Sequence, residues 1–147
     1  MNREILFRAK GLLKDRWYYG YYLEHKRSMT NYIVDLDEEV MAHQHLINKE
    51  TLGQYIELAD NNGTKIFDGD IVRLYDKISN INWTAIVEFG NPNSEYNWGY
   101  QLKPTGTKNC YWNKDILVWI EMPDVECEVI GNIYDNPTLI SGENNYE

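Results

Sequence analysis

The residues of this 147-residue chain whose types and spacing could do chemistry are few. His43-Gln44-His45 alternates in a way that, on a strand, puts both imidazoles on one face. With His25 or a carboxylate such as Asp35 they would offer the nitrogen and oxygen ligands that a divalent metal takes. That spacing is common, and hydrogen-bonded histidines without a metal are the expected state, so no metal site is assigned. Asp68 and Asp70 flank Gly69 like a carboxylate pair, but aspartates beside a glycine ordinarily serve a turn by accepting backbone N–H groups. Cys110 and Cys127 match no zinc or C-x-x-C spacing and read as reduced thiols packed as small hydrophobes. The chain has no G-x-S-x-G, Walker A or H-E-x-x-H motif. The expectation is a protein with no catalytic residues and no cofactor, not an enzyme.

Binding is the chemistry that remains. Trp17, Tyr18, Tyr19, Tyr21 and Tyr22 alternate along a strand-like run, so one face carries Trp17, Tyr19 and Tyr21 and the other Tyr18 and Tyr22. One face must be core. The other is a candidate binding surface, supplied with cations by Arg8, Lys10, Arg16 and the nearby Lys14, Lys26 and Arg27. Two partners suit it. A protein would bury an aromatic surface of this kind in a contact, and a single-stranded nucleic acid would stack bases on it within a basic groove.

Charge separates the two. Residues 1–30 hold seven Lys/Arg against three acids, whereas the remainder holds seven against twenty, for an overall charge of -9. An acidic body repels a phosphate backbone, which disfavours nucleic acid without excluding the basic N-terminal segment from it. The same asymmetry is satisfied either within one subunit or, the reading favoured, in a homo-oligomer through a heterologous contact between the basic aromatic hairpin and the acidic remainder. Another protein is the other expected partner.

These residues need a β scaffold. Ile5, Phe7 and Ala9 alternate with Leu6, Arg8 and Lys10 as a strand, residues 11–16 turn, and 17–23 return as its hairpin partner. Residues 31–36 and, from an ambiguous pattern, 40–47 add two strands, with Asn48 or Thr51 placed to cap a single helical turn. The centre of the chain is Thr51–Leu74. There Asp60-Asn61-Asn62-Gly63 predicts a hairpin with a type I′ turn at Asn62-Gly63, and Phe67-Asp68-Gly69-Asp70 a second reversal. Strands follow at 71–75, 83–89, 98–102, 116–122 and 127–134, and no stretch sustains helical periodicity over twelve residues. The fold expected is all-β with at most short helical turns. It is one domain, 1–147, with an N-terminal β region over 1–50, a barrel over 51–140 and a polar tail over 141–147. Neither the short apolar run near the N-terminus nor the longest one, Ile116–Ile120, suits a signal sequence or a membrane span. A cytoplasmic protein with no membrane contact is expected.

Three blocks resemble the YopX family of small proteins carried by phages and prophages. They are Ile5-Leu6-Phe7-Arg8-Ala9-Lys10 with Trp17 and Tyr19-Gly20-Tyr21; Thr51-Leu52-Gly53-Gln54-Tyr55 with Asn62-Gly63-Thr64-Lys65-Ile66-Phe67-Asp68-Gly69-Asp70-Ile71-Val72; and Glu128-Val129-Ile130-Gly131-Asn132-Ile133-Tyr134-Asp135-Asn136-Pro137. Two positions depart from the family pattern. Asn48 stands where proline is frequent, and Ile56-Glu57 where Thr-Gly is. The resemblance implies a β-rich fold with an SH3-like barrel in its C-terminal part, a phage setting and the cytoplasm of the infected cell, and it carries no catalytic residues.

Overall fold

A computed structural model describes residues 3–36, 39, 41–92, 98–106 and 114–140. It is mostly β, with two antiparallel sheets and one short α-helix, as the sequence predicts. The chain forms two compact units, Met1–Glu57 and Leu58–Glu147, dividing seven residues beyond the expected sub-region boundary.

In the first unit β1 (Phe7–Lys10), β2 (Trp17–His25), β3 (Thr30–Leu36), β4 (Ala42–Leu46) and β5 (Gly53–Ala59, whose last two residues open the second unit) lie in the order β4-β3-β2-β1-β5. The sheet bends at Gly20. Residues 17–20 of β2 pair with β1, whereas 21–25 pair with β3. The far ends of β1 and β4 also meet. Gly11 bridges Ile47, Leu12 N–H donates to the Leu46 carbonyl at 3.0 Å, and Asn48 N–H donates to the Lys10 carbonyl at 2.9 Å. This curling gives the sheet an inner face, where Ala9, Ile33 and Ile47 are buried with Phe7, Tyr18, Tyr22 and Leu52 packed against them.

Asn48 caps a 3₁₀ turn at Lys49–Thr51, its side-chain oxygen accepting from Glu50 N–H at 3.1 Å. That is one of the two caps the sequence offered, and it shows what the asparagine does where proline is frequent. At the second departure, Glu57 adopts a φ of 70°, a left-handed conformation natural to glycine, and its carboxylate pairs with Arg3.

The second unit opens with the hairpin to β6 (Lys65–Phe67), followed by β7 (Asp70–Asp76), β8 (Ile81–Gly90), β9 (Gly99–Pro104), helix α1 (Ile116–Glu121) and β10 (Val125–Asn132). Four strands form a sheet ordered β10-β7-β8-β9. Its core includes Ile71, Val72, Leu74, Ala85, Val87, Leu102 and Cys127, with the Trp83 and Trp119 rings packed edge-on at 5.4 Å.

Two local expectations need correction. Residues 116–121 are helical, not extended, because Asp115 caps the segment by accepting from Leu117 N–H at 3.0 Å, and Ile116 and Trp119 are buried one turn apart. An unbroken apolar run such as Ile116–Ile120 has no period that separates strand from helix.

The turn at 60–63 is likewise not type I′. Gly63 has a φ of 80° but Asn62 has no positive φ, and Gly63 N–H donates to the Asp60 carbonyl at 3.0 Å. Asn61 and Asn62 are therefore the central residues of a β-turn, and Gly63 is the left-handed residue after it, as in three-residue hairpin loops. Gly63→Val is expected to cost at least about 1 kcal/mol, from backbone strain alone, since nothing lies within 4 Å of the added Cβ. A urea midpoint equal to that of the wild type would contradict this.

Candidate functional site

The pairing register decides which aromatic face is available. Directly opposed residues share a face, so Tyr18, opposite Ala9, and Tyr22, opposite Ile33, point into the core of the first unit. Tyr22 anchors its hydroxyl by donating to Asn31 Oδ1 at 2.6 Å, and Tyr18 stacks on His45 with ring centroids 4.0 Å apart. The outer face carries Trp17, Tyr19 and Tyr21 in a row continued by Leu23. Tyr19 is 47% exposed, Tyr21 58% and Leu23 45%. Beside them on β3, Val34 opposes Tyr21 and Tyr32 opposes Leu23, and Leu36 is 53% exposed on the same face. Leu23 and Leu36 were not among the candidates read from the sequence. Only the register of β2 against β3 brings Leu36 beside the aromatic row.

The cations distribute unevenly. Arg8, opposite Tyr19, is buried and lies 4.7 Å from the Trp17 ring centroid, and Lys10 lies 5.8 Å from it while pairing with Asp15 at 2.8 Å. Both therefore serve Trp17, whose ring holds cation–π partners already. Arg16 is exposed and sits 5.2 Å from the centroid of Tyr18. Lys14, Lys26 and Arg27 are exposed in the turns at the two ends of β2. The structure thus brings Trp17, Tyr19 and Tyr21 together on the outer face with Arg8 and Lys10, and takes Tyr18 and Tyr22 away from it.

The histidines do other work. His43 and His45 share a face with Asp35, as the strand reading requires, and His45 Nε2 lies 3.0 Å from Asp35 Oδ2. His25 belongs by register to the opposite face, where its Nδ1 is 2.6 Å from Ser28 Oγ. Among the described residues no cluster of three His, Cys, Asp or Glu side chains is arranged to hold a metal ion. Asp70 is buried and accepts from Phe67 N–H at 2.8 Å, which is the expected turn duty.

The closing block is structural too. Asn132 Oδ1 accepts from Tyr134 and Asp135 N–H at 3.0 and 2.9 Å, and Ile133 N–H donates to the Gly69 carbonyl at 3.0 Å. The turns around Gly69 and Asn132 are thereby tied together.

The outer face of the second unit's sheet is polar. Arg73 pairs with Glu128, and Lys77 with Glu126 at 2.9 Å, beside a depression of about 680 Å³ lined by Asn61, Tyr75 and Asn82 among others. The hydrogen bond with Glu126 holds the Lys77 ammonium above its ordinary pKa. Cys127 is a buried free thiol, and Cys110 lies outside the described residues.

Burial, then the nearby Asp60 carboxylate, pushes the Cys127 thiol from its ordinary 9.0 up to about 12. The folded protein holds this proton more tightly than the unfolded chain, so the associated stability is fully present below about pH 9 and is lost as pH rises to about 12. Iodoacetamide at pH 8 is expected to spare Cys127 in the native protein and modify it in urea, as peptide mapping by mass spectrometry would show. Equal labelling in both states would refute the burial.

The sequence reading also passed over the aromatic group at the end of β8 and β9, where Phe89 packs edge-on against Tyr100 at 5.0 Å and against Trp98 at 6.2 Å, with Trp98 74% exposed. Its signal was present in Phe89-Gly90 and Trp98-Gly99-Tyr100, a pair of aromatic and glycine positions facing each other across a hairpin.

Among the described residues no helix is long and apolar enough to cross a membrane. No curated protein matches the sequence. The fold is similar to that in the crystal structure of protein EF1440 from Enterococcus faecalis, with a TM-score of 0.51, 18% identity, and coverage of 95% of this chain and 100% of that one. The sequence profile of the YopX protein family matches residues 6–141, nearly the whole length and all of the three blocks quoted above except Ile5, and the chain belongs to that family.

Proposed function

We propose that this protein is a non-enzymatic phage or prophage accessory protein that acts in the host cytoplasm as a protein-binding module and as a homo-oligomer. The phage setting follows from what the family resemblance implies. The binding role is carried by one observation: Tyr19, Tyr21, Leu23 and Leu36 lie exposed together on one sheet face. Grouped apolar exposure of this kind marks interaction surfaces, whereas scattered apolar residues mean nothing. The order β10-β7-β8-β9, with α1 immediately before the strand that returns to β7, supports an SH3-like barrel in the second unit.

Single-stranded nucleic acid is the competing occupant, favoured by the cations at both ends of β2. Against it, the ring best suited to stacking, Trp17, is occupied by Arg8, and the exposed row runs on into aliphatic Leu23 and Leu36. The test is affinity capture from nuclease-treated lysate of infected host cells, using wild type and Tyr21→Ser/Leu23→Ser. Proteins held by the first and lost from the second are expected, whether further copies of this chain or other host or phage proteins. Identical capture by both would remove this face from the account. A labelled single-stranded oligonucleotide should show no saturable binding at low salt; tight binding that weakens steeply with salt would favour the competing occupant.

A further inference from the structure

We infer that the outer face of β2 and β3 docks a second copy of this chain, in a heterologous contact with the acidic surface where α1 runs into β10. The inference rests on the protein-binding reading and names its partner. The exposed row along β2 has basic turns at both ends, Lys14 before Trp17, and Lys26 and Arg27 after His25. At about 3.3 Å per residue the two ends of β2 lie at most roughly 26 Å apart. Two such faces stacked on each other would set cations over cations in either strand orientation, so a contact that repeats the same patch on both subunits is disfavoured.

The occupant must bring acids and an apolar group together, and the second unit carries fourteen acids against six Lys/Arg. Leu117 and Glu121 share one face of α1, and Asp124 follows; all three are exposed. This surface supplies an apolar side chain beside two carboxylates, complementary to the row and its basic rim. A contact between unlike patches leaves one of each unused, so copies add head to tail until a ring closes.

Light scattering after size exclusion tests this at 10 to 100 µM protein in low and high salt. The expected mass is at least twice the 17.4 kDa of one chain, falling with added salt. Tyr21→Ser/Leu23→Ser and Glu121→Lys/Asp124→Lys should each be folded by circular dichroism and each be a monomer. Mixed, they should form a complex of two chains and nothing larger, because each variant retains the patch the other lacks. A wild-type monomer at every concentration, or no complex on mixing, would overturn the inference. Face-dependent capture of another protein by a monomeric wild type would sink the second copy alone and leave the protein-binding reading standing.

Discussion

Replacing Gly20 by alanine is expected to destabilise the first unit by about 3 kcal/mol, the upper part of the range for overpacked sites. An added Cβ would sit 2.2 Å from the Val34 carbonyl oxygen and 2.9 Å from its carbon, both backbone atoms that no rotamer change can move. The closeness has a structural cause, since Gly20 is the residue at which β2 passes from β1 to β3. Glycine inside a strand commonly marks such a bend. Making room would pull β3 from β2 and open the core around Ile33. Urea denaturation followed by tyrosine and tryptophan fluorescence should show the loss, and a midpoint within error of wild type would mean that the bend lies elsewhere.

The second large effect is expected at Asp60. One carboxylate oxygen accepts from Asn62 and Thr64 N–H, both at 2.9 Å, and the other from Val129 N–H at 2.9 Å. Next to it Asn61 exchanges hydrogen bonds with the Cys127 backbone at 2.6 and 3.0 Å. The turn at 60–63 is therefore fastened to β10 from more than sixty residues away. Asp60→Ala leaves three backbone donors without their acceptor and should cost about 3 kcal/mol or more, at roughly 1 kcal/mol or more per group. Asp60→Asn keeps one acceptor oxygen and should lose a smaller part. If alanine and asparagine cost the same, the contribution of the retained oxygen is refuted.

Much of this was legible in the sequence. Alternation of apolar and polar residues placed the strand at 5–10, because a sheet with one face buried imposes that period; aromatic residues suited to a pleated surface placed the one at 17–23, and short apolar runs between polar turns those at 31–36, 71–75 and 83–89. Asn48 was readable as a cap, and Asp70 as a turn former, from the chemistry of short polar side chains. The helix at 116–121 was missed because its apolar run lacks a period. The turn type was missed because Asn-Gly serves both two-residue and three-residue hairpin loops.

The site was half legible. Alternation divided Trp17, Tyr19 and Tyr21 from Tyr18 and Tyr22, yet which set is buried depends on the direction in which the sheet curls. That direction is set by pairings distant in sequence, such as Gly11 with Ile47. The register of β2 against β3 sets Leu36 diagonal to Tyr21, which no local pattern announces.

The assignment of faces is tested most directly by unfolding Tyr21→Ser and Tyr22→Ser side by side. Tyr21→Ser removes an exposed ring and should leave stability within about 0.5 kcal/mol of wild type. Tyr22→Ser removes a ring packed at 6.0 Å against Phe7, together with its bond to Asn31, and should cost at least about 2 kcal/mol. If Tyr21→Ser proved the more damaging of the two, the outer face would be core, and the binding surface proposed for this protein would not exist.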